Sequence, residues 1–178
     1  MLPLGTPLPS IELENAVDGA RVNVDELAAG KRGTLVLFIC NHCPFVVHIR
    51  QELVRVAHEA LAREFAVIAV NSNDVEAYPQ DGPAAMATLA RDEQWRFPFL
   101  LDESQDVARA FHAACTPDIY LFDAGKKLAY RGQFDDSRPK NGKPVTGRDL
   151  RAALEVVAAG GLPSDAQTPS IGCNIKWK

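Results

Sequence analysis

The chain is 178 residues long, carries a net charge of −4, and is 47% hydrophobic and 24% charged. This length fits a single α/β domain with a sizeable core, and the acidic balance argues against nucleic acid or an anionic membrane as the main partner. No stretch has the ~18 apolar residues of a membrane span, and the N-terminus lacks the basic region and apolar run of a secretory signal. We therefore expect one cytoplasmic domain over residues 1–178.

Strand and helix signals alternate in the first half of the chain. Residues 8–23 predict a small hairpin, because apolar and acidic residues alternate and Asp18-Gly19 supplies a turn. Asn23 and Glu26 resemble a capping box that opens a short helix ending near residue 29. Next comes a strand at 34–39 that is buried on both faces. A helix that begins at a proline follows at 44–63, and a second buried strand at 65–70.

The second half is predicted to contain helices at 83–93 and 102–114 and a hairpin at 119–130. A surface loop at 135–144 and a last helix at 146–160 follow. Asp102 is the expected N-cap of the second of these helices. The element order predicts a central mixed sheet with helices on both faces and an N-terminal hairpin extension. The tail, residues 164–178, is mostly polar but carries Ile171, Ile175 and Trp177, so we expect it to dock on the body.

The motif that carries chemistry is Cys40-Asn41-His42-Cys43, placed where a buried strand passes into a helix. This spacing brings two sulfurs together across one helical turn. The partial positive charge and free amides of a helix N-terminus stabilise a thiolate and lower its pKa, and a protonated His42 would lower it further. The position favours a redox pair over a metal-binding pair or two inert buried thiols.

Thr116-Pro117, directly before a predicted strand, is the second landmark. A proline is tolerated at the first residue of a strand. If the Thr116–Pro117 bond is cis, its backbone lines the groove beside the two cysteines; an ordinary trans proline is the alternative.

Two further cysteines have open roles. Cys115 is either a third redox thiol or metal ligand near the pair, or a small packing residue. Cys173 is either a resolving thiol delivered by the tail, or a docked structural residue. Arg131 and Arg138 are expected to be solvated or to pair within their loop rather than to clamp an anion, and His48 is expected at the surface.

Residues 116–132 resemble the cis-proline strand, turn and following strand of thioredoxin-like thiol reductases and peroxiredoxins. More narrowly, the chain resembles the peroxiredoxin-like (alkyl hydroperoxide reductase/thiol-specific antioxidant) group that carries a CxxC, through segments 38–46, 78–79, 115–118, 131–139 and 172–178. The resemblance covers nearly the whole chain and implies a thioredoxin-like fold.

The resemblance leaves the attacking thiol open. Thioredoxins imply Cys40 as the attacking thiol and Cys43 as the resolving one, whereas peroxiredoxins align Cys43 with their peroxidatic cysteine. Peroxiredoxins hold that cysteine in a Pro-x-x-x-Thr-x-x-Cys pattern, but Val36 and Cys40 stand here at the Pro and Thr positions. Thioredoxins keep a buried acid on the strand before the CxxC, and residues 34–39 contain none; His42 or a carboxylate from another loop is expected to replace it.

The leading hypothesis is a thiol–disulfide oxidoreductase or thiol-dependent peroxidase with an antioxidant role. One cysteine attacks a disulfide or peroxide substrate, the second closes a Cys40–Cys43 disulfide, and an external dithiol donor such as a thioredoxin-like protein resets it. No cofactor is expected, since the chain lacks a GxGxxG fingerprint. The alternatives are a Cu(I)- or Zn-binding module using Cys40, Cys43 and Cys115, and an adaptor without turnover.

Overall fold

The structure is a computed structural model and describes residues 2–178. The strands of this range are β1 (Glu12–Asn15), β2 (Arg21–Asn23), β3 (Gly33–Phe38), β4 (Ala66–Asn71), β5 (Phe99–Leu101), β6 (Cys115–Thr116), β7 (Asp118–Asp123), β8 (Leu128–Arg131) and β9 (Cys173–Asn174). The helices are α1 (Val24–Leu27), α2 (Pro44–Ala62), α3 (Pro83–Asp92), α4 (Asp106–Ala110) and α5 (Arg148–Ala158), with a 3₁₀ turn at Pro79–Asp81. None of the helices within 2–178 combines the length and the apolar character needed to cross a membrane.

Seven strands form one mixed sheet in the order β2-β1-β5-β4-β3-β7-β8. β3, β4 and β5 run parallel to one another, whereas β7 lies antiparallel to β3 and β8 antiparallel to β7. The N-terminal hairpin extends this sheet, because β1 pairs with β5. β6 and β9 pair separately, next to the end of β3 that leads into the cysteines. The predicted mixed sheet with an N-terminal hairpin is therefore confirmed.

Both faces of the sheet are covered, which explains the unbroken apolar run of β3. Leu35 and Leu37 pack in one core with side chains of α2, α3 and α5. Val36 and Phe38 point to the opposite face and pack in a second core with side chains of α1 and α4. Alternate residues of a strand face opposite sides, so a strand between two helical layers is apolar at every position.

Several predicted elements appear within a residue or two of their expected bounds. The Asn23 side chain caps α1 by accepting the backbone N–H of Asp25 at 2.9 Å. α2 begins at Pro44, where the missing proline N–H costs the helix nothing. The strands and helices expected at 34–39, 65–70 and 83–93 are β3, β4 and α3.

The helix predicted from an N-cap at Asp102 is shorter and begins later than expected. α4 starts at Asp106, and Gln105 is its N-cap residue with φ +66°. The Asp102 carboxylate nevertheless accepts the backbone N–H of Val107 at 3.3 Å and of Ala108 at 2.9 Å. Asp102 therefore satisfies helix N–H groups as expected, but it does so as a buried side chain outside the helix and not from the N-cap position.

The segment 135–144 is not wholly a surface loop, because its first residue belongs to the interior. The Asp135 carboxylate is fully buried and accepts the backbone N–H groups of Thr146 and Gly147, each at 2.7 Å. α5 then begins at Arg148 rather than at Thr146. Gly147 has φ +62°, and a Cβ there would lie 2.6 Å from the Phe134 ring, so the turn into α5 requires glycine.

Candidate active site

Cys40 and Cys43 lie at the junction of β3 and α2. β3 ends at Phe38, and Cys43 is the N-cap residue of α2. Both side chains are buried, with exposed fractions of 2% and 0%. The pair therefore occupies the predicted strand-to-helix position, beneath the surface of the protein.

Hydrogen bonds lower the pKa of Cys43 to about 4. The largest contribution is the hydrogen bond from Cys40, and the Thr116 hydroxyl, the Cys173 thiol and the backbone N–H of Val46 add to it against the opposing effect of burial. In its thiol form, Cys43 donates instead to the Thr116 carbonyl oxygen at 3.0 Å. Because the Cys43 sulfur has four hydrogen-bond donors around it and one acceptor, its environment favours the thiolate over the thiol.

Cys40 has the opposite character. Its hydrogen bond to Cys43, its burial and the negative charge of Asp81 raise its pKa well above the usual range for a thiol. Its Sγ lies 3.6 Å from Oγ1 of Thr116. These environments favour the thiolate on Cys43 over the thiolate on Cys40.

Asp81 supplies the buried carboxylate that residues 34–39 lack. It ends the 3₁₀ turn after β4 and is fully buried. One oxygen accepts the backbone N–H groups of Asn41 and His42 at 2.9 and 3.2 Å, and the other lies 2.6 Å from Nδ1 of His42 and accepts from Asn73 at 2.9 Å. These bonds fix the loop between the cysteines to the end of β4.

The identity of Asp81 was missed at the sequence level. A carboxylate from another loop was expected, but no local pattern distinguishes Asp81 from other acidic residues in turns. The signal that could have pointed to Asp81 was the nearby Tyr78-Pro79, one of the segments that carry the resemblance. In the structure the Tyr78 ring stacks on His42, with centroids 5.6 Å apart and planes 2° from parallel. His42 therefore faces Asp81 and Tyr78, and one of its ring nitrogens lies within 4.8 Å of the Cys40 sulfur.

The Thr116–Pro117 bond is cis, the first of the two alternatives that the sequence left open. Thr116 contacts both sulfurs, through its hydroxyl to Cys40 and its carbonyl to Cys43. The backbone before the proline thus forms one wall of the site.

Arg131 is buried, which corrects the expectation of a solvated or loop-pairing side chain. Its guanidinium donates to the Asp118 carboxylate at 3.0 Å and to the His112 carbonyl at 2.9 Å, and lies over the Tyr120 ring. Arg138 follows the loop-pairing expectation, since it donates to the carbonyls of Asp135 and Ser137 and to the Gln133 side chain. His48 is half-buried and lies 2.7 Å from the Ser137 hydroxyl, so it is not a free surface residue.

The two outer cysteines flank the pair differently. Cys115 donates to the Pro117 carbonyl at 3.5 Å, and burial together with Asp118 raises its pKa to about 12. Cys173 lies on β9 opposite Thr116 and packs against the core that contains Cys43, and burial together with Cys43 raises its pKa to about 11.

The three-residue metal-ligand cluster within residues 2–178 is Cys40, His42 and Asp81, whose ligand atoms lie within 4.8 Å of one another. It differs from the expected set of Cys40, Cys43 and Cys115. Each Asp81 oxygen already has two hydrogen-bond partners in the protein. A metal would have to displace these bonds, so the donor set does not fit a resident ion.

Comparisons with known proteins give the family and the fold of the chain. The model of the AhpC/TSA family matches residues 4–131, and no curated protein matches the chain. An uncharacterized conserved protein from Geobacillus kaustophilus is 49% identical, with a TM-score of 0.96 over 100% of this chain and 94% of that one. A hypothetical protein from Sinorhizobium meliloti 1021 is 44% identical, with a TM-score of 0.96 over 100% and 96%.

Distant structures share the fold. The peroxidoxin BcpB of Mycobacterium tuberculosis is 14% identical, with a TM-score of 0.65 over 89% of this chain and 98% of that one. The thioredoxin domain of a thiol-disulfide oxidoreductase from Bacteroides vulgatus is also 14% identical, with a TM-score of 0.64 over 86% and 99%. The fold is thioredoxin-like, and the family match spans more than half of the chain. The chain therefore belongs to the AhpC/TSA family of thioredoxin-like redox proteins.

Proposed function

We propose that this protein is a thiol-dependent oxidoreductase that cycles Cys40 and Cys43 between dithiol and disulfide. Its substrate is a disulfide or a peroxide, and an external dithiol such as a thioredoxin-like protein restores the reduced state. The observation that carries this proposal is the placement of two buried cysteines at the β3–α2 junction, where Cys43 is the N-cap residue of α2 and Thr116 contacts both sulfurs. The pKa of Cys43 is lowered and that of Cys40 is raised.

Cys43 is the attacking thiol in this proposal, because the thiolate is the nucleophile. Its sulfur attacks one sulfur of a substrate disulfide, and the other substrate sulfur leaves as a thiolate. Cys40 then attacks Cys43 in the mixed disulfide, releases the second substrate thiol and forms the Cys40–Cys43 bond. The Cys40 proton is lost in this step, and the carboxylate of Asp81 is the nearby base. An external dithiol reverses the sequence.

Disulfide substrates suit this site better than peroxides. The thiolate of Cys43 is stabilised by thiol, hydroxyl and amide donors rather than by a neighbouring cation. Arg131 is held by Asp118, and Val36 occupies the proline position of the peroxiredoxin pattern. We therefore expect slower reaction with peroxide than with a small aromatic disulfide.

The proposal is tested by counting thiols before and after one equivalent of 5,5′-dithiobis(2-nitrobenzoate), with mass mapping of the disulfides. We expect loss of two thiols per chain and a Cys40–Cys43 peptide pair. Cys115→Ser is the matched control and should leave this result unchanged. Four unreacted thiols, or thiols masked by a stoichiometric metal, would contradict the proposal.

A further inference from the structure

Asn73 follows the end of β4 and lies buried beside Asp81, with 3% of the residue exposed. Its Nδ2 donates to Oδ2 of Asp81 at 2.9 Å. Its Oδ1 accepts the backbone N–H of Lys176, in the C-terminal tail, at 2.9 Å. The Asn73 side chain therefore joins the buried carboxylate of the site to the last residues of the chain.

The orientation of the Asn73 amide follows from these two partners. A backbone N–H group is a donor and never an acceptor, so the Asn73 atom that faces Lys176 must be the carbonyl oxygen. The NH₂ group then faces Asp81. Asn73 is therefore fixed as a donor to this carboxylate and does not compete with it for a proton.

The other partners of the Asp81 carboxylate within residues 2–178 are of two kinds. Oδ1 accepts the backbone N–H groups of Asn41 and His42 at 2.9 and 3.2 Å, and these groups are also fixed donors. Oδ2 lies 2.6 Å from Nδ1 of His42, and an imidazole nitrogen either donates or accepts a proton. With Asn73 fixed as a donor, the His42 ring is the partner that can take a proton from Asp81.

The His42 ring also connects the buried carboxylate to the solvent. The Asp81 side chain is 0% exposed, whereas the His42 side chain is 28% exposed. Stacking on Tyr78 holds the ring in this position. A proton that reaches Asp81 therefore leaves through His42, because the carboxylate itself is shielded from water.

We propose that Asn73 is a positioning residue that directs the proton on Asp81 toward His42. This inference rests on the proposed function, in which Cys40 attacks Cys43 in the mixed disulfide and loses its proton to Asp81. The S–H bond of Cys40 and the bond from Cys43 to the substrate break, and the Cys40–Cys43 bond forms. The second substrate sulfur leaves as a thiolate with the electron pair of the broken bond. His42 takes the proton from the Asp81 carboxyl and releases a proton to water, which restores the carboxylate.

The two steps of the reaction depend differently on Asn73. The attack by Cys43 uses a thiolate and releases the first substrate sulfur while Cys40 keeps its proton. The attack by Cys40 requires that this proton is removed. A change at Asn73 that disturbs the proton path should slow the second step and spare the first, whereas a general loss of structure would slow both.

The test is a stopped-flow reaction of full-length Asn73→Asp with one equivalent of 5,5′-dithiobis(2-nitrobenzoate) at pH 7, in which each step releases one coloured thiolate. Asn73→Asp keeps an acceptor for Lys176 but places a second acceptor against Asp81, where it holds the proton back from His42. We expect the first release at the wild-type rate. The second release should be at least about tenfold slower, because help from a positioned base is typically worth more than this factor.

Asn15 offers a matched control with the same hydrogen-bond pattern in the N-terminal hairpin. Its Oδ1 accepts the backbone N–H of Phe99 at 3.1 Å, and its Nδ2 donates to the Asp18 carboxylate at 2.9 Å. Asn15→Asp therefore also places one carboxylate against another. It should leave both release rates unchanged, because Asn15 has no contact with the Asp81 carboxylate.

A pair of alanine variants keeps the inference testable if Asn73→Asp does not fold. Asn73→Ala removes the donor without adding an acceptor, so the second release should slow by about threefold, less than in Asn73→Asp. Asn15→Ala should change neither rate. A slower second release in Asn73→Ala than in Asn73→Asp would contradict the role assigned to the amide, because loss of packing would then outweigh the competing acceptor.

Two further results would overturn the inference. One is a wild-type rate of second release in Asn73→Asp. The other is an equal slowing of both releases, which structural damage alone produces. Failure of the proposed function looks different, because the wild-type protein would then give no second release and no Cys40–Cys43 disulfide in mass mapping.

Discussion

At the scale of single residues, the two cysteines differ in proton affinity because their neighbours differ. Cys43 is surrounded by donors, among them Cys40 and the Val46 amide, which stabilise negative charge. Cys40 faces the Asp81 carboxylate and the Cys43 sulfur, which oppose a second negative charge nearby. Two thiols separated by two residues thus acquire different proton affinities, because different groups surround each sulfur.

The first prediction concerns the pH dependence of Cys43. Its pKa is lowered from the ordinary value of 9.0 to about 4, so the thiolate is present above pH 4 and is lost as the pH falls through that value. The ultraviolet absorbance of the reduced protein should show this transition. Cys40→Ala removes the main donor and should move the midpoint to higher pH, whereas Cys115→Ala should not. A single midpoint near the ordinary thiol value in the wild-type protein would contradict this assignment.

The second prediction concerns Asp81. Asp81→Asn replaces one carboxylate oxygen by an NH₂ group, which cannot accept a hydrogen bond. Depending on which oxygen is replaced, either the backbone N–H groups of Asn41 and His42 or the side chain of Asn73 lose their acceptor. Buried donors left without an acceptor should cost about 2–4 kcal/mol of unfolding free energy. Urea denaturation measures this loss. Asp92→Asn, at an exposed position, is the control and should change stability by less than about 0.5 kcal/mol. Equal stability of the two variants would refute the anchoring role of Asp81.

At the scale of secondary-structure elements, local patterns predicted what local forces determine. The apolar run of β3, the Asn23 cap and Pro44 at the start of α2 are each readable within a few residues. The start of α4 was not, because Asp102 is held at the end of β5, where the Ser72 hydroxyl donates to it at 2.7 Å. The buried role of Asp135 depends likewise on α5, about a dozen residues away. A short window of sequence contains neither contact.

The third prediction concerns the buried ion pair that joins β7 and β8. The Arg131 guanidinium and the Asp118 carboxylate are exposed by 6% and 4%. Asp118→Asn leaves a buried guanidinium without its counter-charge and should cost about 3–5 kcal/mol of unfolding free energy. The matched carboxylate-to-amide change Glu12→Gln, in an exposed pair with Arg21, should cost less than about 1 kcal/mol. Chemical denaturation of the two variants would contradict the account if the losses were similar.

At the scale of the whole molecule, the fold assembles the site from four distant parts of the chain. The motif at 40–43 comes from the β3–α2 junction, Asp81 from the turn after β4, Thr116 from β6 and Cys173 from β9. The sequence identifies Cys40 and Cys43 because their spacing and flanking elements are local. It singles out Thr116 and Pro117 by their position before a predicted strand but leaves cis and trans open, and it does not identify Asp81, because that contact depends on the tertiary structure.

The measurement that tests the central claim most directly compares Cys40→Ser with Cys43→Ser in a stopped-flow reaction with 5,5′-dithiobis(2-nitrobenzoate) at pH 7. Cys40→Ser keeps a hydrogen-bond donor beside Cys43 and should retain a rapid first release of the coloured thiol. Cys43→Ser should lose that phase and react at least about tenfold more slowly, because the remaining thiols are protonated. A thiol of higher pKa is more nucleophilic once ionised, but this offsets only part of its smaller thiolate fraction. The opposite ranking, with a fast Cys43→Ser and a slow Cys40→Ser, would make Cys40 the attacking thiol and contradict the account.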